Sequence, residues 1–167
     1  METLFIMGYM LLPFSYDIDA AAIEQAITLA YDYNATLVPF SIIPLSGRHH
    51  TVRLEHIQQA KDFQILTKQK ATRAGVPVET LERYTSEEVQ VIRSVALELQ
   101  CTGILLFARQ QKGILLSATT IRQLMQTSKS PCFLSLLPPQ RNFMLTIRDS
   151  FNMVCDAMKS RAVVAHT

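Results

Sequence analysis

Residues 101–139 read CTGILLFARQQKGILLSATTIRQLMQTSKSPCFLSLLPP, and this stretch decides the fold class. The run 103–108 is apolar and has the length of a buried strand, and 132–137 is a second such run that two prolines end. Between them lies an apolar triplet at helical spacing: Ile121, Leu124 and Met125. Two strands joined by a crossover helix are parallel. The loop 108–120 therefore lies at the carboxyl edge of the sheet, where open α/β sheets bind ligands.

The same alternation of strands and helices extends toward the N-terminus. Further strands are predicted at 9–14, 35–44 and 78–84. Helices are predicted from a cap at Asp17 or Asp19 to about Tyr33, from about Val52 to Ala74, and from a capping box at 85–88 to Leu99, with Tyr33 and Leu54 among the inward-facing positions. This order predicts one α/β domain over residues 1–139, with a five-stranded parallel sheet in the order 3-2-1-4-5 and helices on both faces. Residues 1–8 either extend the first strand or form a separate edge strand.

The tail, residues 140–167, is predicted to form an amphipathic helix. One apolar stripe follows its helical spacing: Phe143, Ile147, Phe151, Val154 and Met158. The stripe predicts burial, either against its own domain or against a partner. The last strand is apolar and lies at a sheet edge, which needs a cover or a partner strand, and it carries Phe133 and Leu134. We therefore expect a homodimer that uses the last strand, the tail or both, and a further protein partner is compatible with the same surfaces.

Composition limits the classes of partner. The chain has 167 residues, is 49% hydrophobic and 18% charged, and has a net charge of +2. This balance is too mild to indicate nucleic acid or a membrane surface as a partner. The longest apolar run, residues 4–14, is shorter than the roughly 20 residues that span a bilayer, and no basic segment precedes it. We expect a cytoplasmic protein with reduced thiols at Cys101, Cys132 and Cys155.

Two groups of charged or metal-binding residues are candidates for a site. His49, His50 and His56 lack a typical ligand spacing, and we expect no metal. Six cationic or basic residues follow the second and fourth strands at one sheet edge: Arg48, His49, His50, Arg53, Arg109 and Lys112. They form either a solvated rim or an anion site, with Arg109 as the natural bidentate donor.

Three segments of the sequence together resemble the universal stress protein family. They read LLPFSYDIDAAAIEQAITLAYDYNATLVPFSIIP, AGVPVETLERYTSEEVQVIRSVALELQCTGILLFA and SATTIRQLMQTSKSPCFLSLLP, and the likeness covers about residues 9–137. It rests on the order and lengths of the elements and on the entry into the last strand through Pro131. The resemblance implies a five-stranded α/β domain, commonly dimeric, of a kind that often binds ATP.

The sequence departs from this family at the positions that hold the nucleotide. The aspartate that ends the first strand in ATP-binding members corresponds to Phe14, and the Gly-Asp-Pro before the third helix corresponds to residues 84–86. The family loop G-x2-G-x9-G-(S/T) is shorter here, and its glycines correspond to Ala108, Gln111 and Ala118. Thr119 or Thr120 matches the final hydroxyl residue, and Gly113 is the one glycine in this loop. The resemblance thus implies a divergent member without the ATP motif, and ATP is not expected as a cofactor.

The sequence therefore predicts a stress-response or regulatory domain that acts through protein contacts. The residues that would line a degenerate pocket are Phe14, Ser15, Ile43, Tyr84, Arg109, Lys112, Thr119 and Thr120. The alternative is a sensor of a small ligand, an anion or nucleotide bound near Arg109. No HxGH, SGGxDS or G-x-S-x-G signature and no Cys/His pair is present, so we expect no catalytic residues; a slow ATPase is the least favoured function. The aromatic residues at the strand ends, Phe14, Tyr84 and Phe107, are interpreted as core or as a plug of the pocket.

Overall fold

The computed structural model describes residues 8–140. The predictions for an extra strand before Gly8, for the tail helix with its five stripe residues, and for Cys155 lie outside the described residues. The fold lies in a compact unit that ends at Leu137. Among residues 8–140, no helix is both long and apolar enough to cross a membrane.

The unit alternates strands and helices, with one addition to the predicted order. The strands are β1 (Tyr9–Phe14), β2 (Thr36–Pro44), β3 (Leu81–Thr85), β4 (Gly103–Arg109), β5 (Lys112–Ile114) and β6 (Cys132–Leu136). The helices are α1 (Ala20–Asp32), α2 (Leu54–Arg73), α3 (Glu88–Glu98) and α4 (Ala118–Thr127). Five strands pair in parallel in the order β3-β2-β1-β4-β6. This confirms the predicted core order, with the last parallel strand numbered six rather than five.

The prediction of a purely parallel sheet is wrong, because the structure contains one additional strand, β5, that is antiparallel. β5 pairs antiparallel with the end of β4 through Phe107↔Ile114, Ala108↔Gly113 and Arg109↔Lys112. The two residues of the turn, Gln110 and Gln111, have φ values of 49° and 66°. Positive φ at both positions is typical of a two-residue hairpin turn, which usually carries Asn-Gly. The Gln-Gln sequence gives no such signal, and the hairpin was therefore predicted as a loop.

Both faces of the sheet are covered, which explains the nearly continuous apolar strands. Side chains alternate along β1, so that Met10, Leu12 and Phe14 contribute to one core cluster and Leu11 to the other. The first cluster also contains buried residues of α1 and α2, and the second contains those of α3 and α4. The predicted arrangement of helices on both faces is confirmed.

Helix ends and helix faces differ from the predictions in detail. Asp19 caps α1, and its Oδ1 accepts a hydrogen bond from the Ala22 amide at 3.0 Å, which selects Asp19 over Asp17. The predicted capping box at α3 is wrong, because the N-cap is Glu87 and makes no side-chain capping bond. The inward positions predicted for Tyr33 and Leu54 are also wrong: both side chains are exposed, that of Leu54 by 83%. Both residues lie at helix termini, where the helical period alone does not settle burial.

Candidate functional site at the carboxyl edge of the sheet

The site lies where the ends of β1 and β4 separate. β6 pairs with β4 from Ile104 to Ala108 and so occupies one edge of that strand. β1 pairs with β4 only at Gly103 and Ile104, and β5 pairs with it only from Phe107 to Arg109. Because a strand has two edges, β1 and β5 share the edge opposite β6. β5 thus lies in the position that β1 leaves at the carboxyl edge of the sheet, the usual ligand crevice of an open α/β sheet.

Backbone hydrogen bonds join the residues after β5 to the residues after β1. The Leu115 carbonyl oxygen accepts from the amides of Ser15 at 2.8 Å and Tyr16 at 3.4 Å. The Tyr16 hydroxyl donates to the Leu116 carbonyl oxygen at 3.2 Å. Leu115 and Leu116 are each 1% exposed. Residues 110–116, which we call the closing segment, therefore bridge the ends of β1 and β4 and bury their own apolar side chains there.

Phe14 lies in the core cluster beside this segment. Its ring stacks on that of Phe63 from α2, with the ring centroids 4.3 Å apart and the planes 8° from parallel. Phe107, Ile114 and Leu115 belong to the same cluster. The interpretation of Phe14 and Phe107 as core residues is confirmed, because each is 1% exposed. For Tyr84 the same interpretation is wrong, since this side chain is 49% exposed.

One ion pair connects the end of β4 to the start of α1. Arg109 Nη1 donates to Asp19 Oδ2 at 2.7 Å, and the two side chains are 15% and 10% exposed. Burial disfavours the Asp19 carboxylate, but the hydrogen bonds from Arg109 and Ala22 outweigh this effect and hold the pKa of Asp19 below its usual value of 3.8. A lowered pKa in the folded state means that the pair stabilises the fold at neutral pH, and that this contribution is lost as the pH falls below about 4.

The predicted cationic rim is only partly brought together. Arg109 points to Asp19, whereas the other five cationic or basic residues of the predicted set are exposed: Arg48, His49, His50, Arg53 and Lys112. Within residues 8–140, no group of three His, Cys, Asp or Glu side chains has the arrangement of a metal site. The arrangement of Arg109 thus serves a contact within the chain.

A hydroxyl network at the start of α4 includes a predicted pocket residue. Thr120 Oγ1 donates to Glu88 Oε2 at 3.0 Å and accepts from Ser117 Oγ at 2.9 Å, while Ser117 caps the helix. Burial raises the pKa of Tyr16, and the negative charges of Asp17 and Glu88 raise it further. Sequence reasoning missed Glu88, because 32 residues separate it from Thr120 and no motif links them. A groove of about 650 Å³ between α3 and α4 borders this network.

The remaining predicted pocket residues are not among the hydrogen-bond partners that make up this network. Ile43 is fully buried in β2 and belongs to the core. Thr119 is exposed in the first turn of α4, and Ser15 contributes its backbone amide to the closing segment. The Leu115 carbonyl oxygen accepts the hydrogen bond from that amide, and Leu115 was not predicted to be a site residue. The only signal for it in the sequence is its place in the apolar run Ile114-Leu115-Leu116.

The solved structures that resemble this chain include several universal stress proteins. The universal stress protein from Archaeoglobus fulgidus is 17% identical, over 77% of this chain and 93% of its own, with a TM-score of 0.62. A protein of that family from Burkholderia pseudomallei is 16% identical, over 77% of this chain and 95% of its own, with a TM-score of 0.61. The Archaeoglobus fulgidus protein in complex with dAMP is 17% identical over 77% and 98%, with a TM-score of 0.59.

The chain has the universal stress protein fold. This confirms the fold that the sequence resemblance implied. No protein family model matches the sequence, and no curated protein matches it. The identity to the structures is below a fifth, so the likeness concerns the path of the chain and not the residues of a site.

The outer parallel strand, β6, carries exposed apolar side chains next to its free edge. Within residues 8–140 its one strand partner is β4. Phe133 is partly buried and contacts Tyr33 edge-to-face, with ring centroids 5.6 Å apart. Leu134 and Leu136 are 41% and 75% exposed. Leu134 and Met125 also line a shallow apolar pocket of about 170 Å³ beside α4.

Proposed function

We propose that the chain is a divergent universal stress protein that acts through protein contacts rather than through catalysis, and that it does not bind ATP in the manner of that family. We place it in the cytoplasm. The observation that supports the proposal is the closing segment, which lies in the crevice between β1 and β4 with Leu115 buried and bonded to Ser15. A structure of the same fold contains dAMP. Nucleotide binding is therefore the main alternative function to test for this crevice.

A nucleotide in this crevice would have to displace side chains of the closing segment. Ile114 and Leu115 are 8% and 1% exposed. Exposing one large aliphatic side chain costs about 1.5–3 kcal/mol, so exposing both costs about 3–6 kcal/mol. That cost corresponds to about two to four decades of affinity. The ligand would also take over the hydrogen bond that the Leu115 carbonyl oxygen receives from Ser15.

Titration calorimetry with Mg-ATP tests this part of the proposal. We expect a dissociation constant weaker than about 1 mM, because the displacement cost removes most of a typical micromolar affinity. A low-micromolar constant that Arg109→Ala weakens would favour the sensor alternative instead. Lys70→Ala is the matched control, since it removes a cation of an exposed ion pair with Glu24. The sensor alternative has less support, because Arg109 already binds the Asp19 carboxylate.

The protein contact that we propose first is a homodimer through the outer edge of β6. A strand with one free edge and apolar side chains on it favours pairing with another strand. Leu134 and Leu136 supply the apolar surface, and the pocket with Met125 lies beside them. The apolar stripe that the sequence predicts for the tail would supply a second apolar surface, and its place in the dimer is part of the same proposal.

Light scattering of edge variants at micromolar concentration tests the dimer. We expect Leu136→Lys to convert a dimer of the full chain into a monomer, because a lysine on an edge strand opposes pairing. The control is Leu54→Lys, which introduces the same charge at an apolar side chain that is 83% exposed at the start of α2. A monomeric parent chain, or equal dissociation by both variants, would contradict the proposed interface.

A further inference from the structure

We infer that the closing segment is a displaceable cover of the crevice between β1 and β4, which leaves the crevice while the rest of the sheet stays folded. The inference rests on the proposed function, in which the closed crevice is the ground state. It adds that access to the crevice is controlled by a local opening of residues 110–116. Three features of the structure support it: backbone strain at the crevice, the hydrogen bonds that join the segment to the residues after β1, and the parallel strand pairings of β1 and β4, which do not involve the segment.

Backbone strain is concentrated at the crevice. Within residues 8–140, seven residues other than glycine have positive φ, and four of these lie at the crevice: Asp17, Gln110, Gln111 and Leu115. Leu115 has a φ of 68°, which is unfavourable for a bulky side chain. Such conformations persist where surrounding contacts impose them, and they cluster at segments that switch. Release of the segment would relieve this strain and so favour opening.

Within residues 8–140, three hydrogen bonds join the segment to the residues that follow β1. The Leu115 carbonyl oxygen accepts from Ser15 and Tyr16, and the Leu116 carbonyl oxygen accepts from the Tyr16 side chain. Directly before the segment, the Arg109 guanidinium donates to Asp19. The two oxygens of the Asp19 carboxylate accept different hydrogen bonds: Oδ1 accepts from the Ala22 amide and caps α1, and Oδ2 accepts from Arg109. Loss of the Arg109 contact therefore leaves the cap of α1 intact.

The neighbours of the segment keep their own partners when it moves. β4 is held along its other edge by β6, from Ile104 to Ala108. β1 is paired with β2 along its whole length, from Tyr9 to Phe14. β5 is three residues long and has no strand partner besides β4 among the described residues. Opening of the segment thus breaks one short pairing and no parallel ladder, which is the condition for a local opening below the global unfolding free energy.

Hydrogen exchange of two amides tests the inference on the intact chain. The Ser15 amide is bonded to Leu115, across the crevice, and reports local opening. The Leu37 amide is bonded to Pro77 at 2.9 Å in the buried strand β2, and reports global unfolding. The quantity measured is the ratio of the Ser15 to the Leu37 exchange rate, each corrected for its intrinsic rate. We expect a ratio above about 10 in the parent chain, because local opening requires less free energy than unfolding.

Two variants should shift this ratio in opposite directions. Asp19→Asn keeps an oxygen for the α1 cap but removes the charge that holds Arg109, and it should raise the ratio by about fivefold. The double variant Gln110→Asn/Gln111→Gly supplies the sequence that this hairpin turn prefers, and it should lower the ratio by about fivefold. Lys70→Ala, at the exposed pair with Glu24, should leave the ratio unchanged.

A ratio near one in the parent chain, or a ratio that neither crevice variant changes, would overturn the inference, because Ser15 would then exchange only through global unfolding. This outcome is distinct from failure of the proposed function. Tight binding of Mg-ATP in calorimetry would reject the proposed function whatever the exchange ratio. A ratio of one together with absent ATP binding would reject only the displaceable segment.

Discussion

Phe14→Ala is expected to lower the free energy of unfolding by about 4 kcal/mol, as is typical of removing a buried phenylalanine from a packed core. The ring is 1% exposed and stacks on Phe63 at 4.3 Å. Its loss leaves a cavity bordered by an aromatic ring on α2 and by the cluster that contains Leu115. Urea denaturation followed by circular dichroism measures the change.

The matched control is Tyr84→Ala, near the carboxyl end of β3. Both aromatic residues were predicted to line one pocket, but Tyr84 is 49% exposed. Its truncation should change the free energy of unfolding by less than about 0.5 kcal/mol, as for most surface positions. A loss below about 1 kcal/mol for Phe14→Ala would show that the ring is not packed as described.

Gly113→Ala is expected to destabilise the chain by about 3 kcal/mol, a loss in the range of overpacked cores. A methyl group at this position would overlap the Leu116 carbonyl oxygen, and it would lie 2.6 Å from the Ala118 amide nitrogen. These atoms belong to the backbone of the turn that leads from the closing segment into α4, so they cannot move aside as a flexible side chain would. The substitution should also increase exchange of the Ser15 amide.

Gly75→Ala is the control for the loss of a glycine as such. Gly75 has a φ of 73°, and nothing lies within 4 Å of the position of an added methyl group. The backbone conformation alone should cost about 1 kcal/mol. If Gly113→Ala were no more harmful than Gly75→Ala, the close approach of the backbone around Gly113 would be wrong. Chemical denaturation of both variants under the same conditions gives the comparison.

The sequence by itself determined the parallel core of this protein. The apolar runs at β1, β2 and β4 have the length and composition of strands buried on both faces, the run at β6 has the length of a strand, and the helical period between the runs is regular. Local chemistry also marked the start of α1 at Asp17 or Asp19, and the structure places the cap at Asp19. Such signals are local, because a residue's neighbours in the chain are its neighbours in the element.

Only the tertiary structure decided which residues fill the crevice and which side chains contact each other around it. The contact between Arg109 and Asp19 joins residues 90 positions apart, and that between Thr120 and Glu88 joins residues 32 positions apart. The sequence left open whether Arg109 belongs to a solvated rim or to an anion site, since residue type alone does not specify a partner. The hairpin turn at Gln110 and Gln111 has positive φ without the usual residues, so contacts from β1 and α4, rather than local preference, hold the closing segment in place.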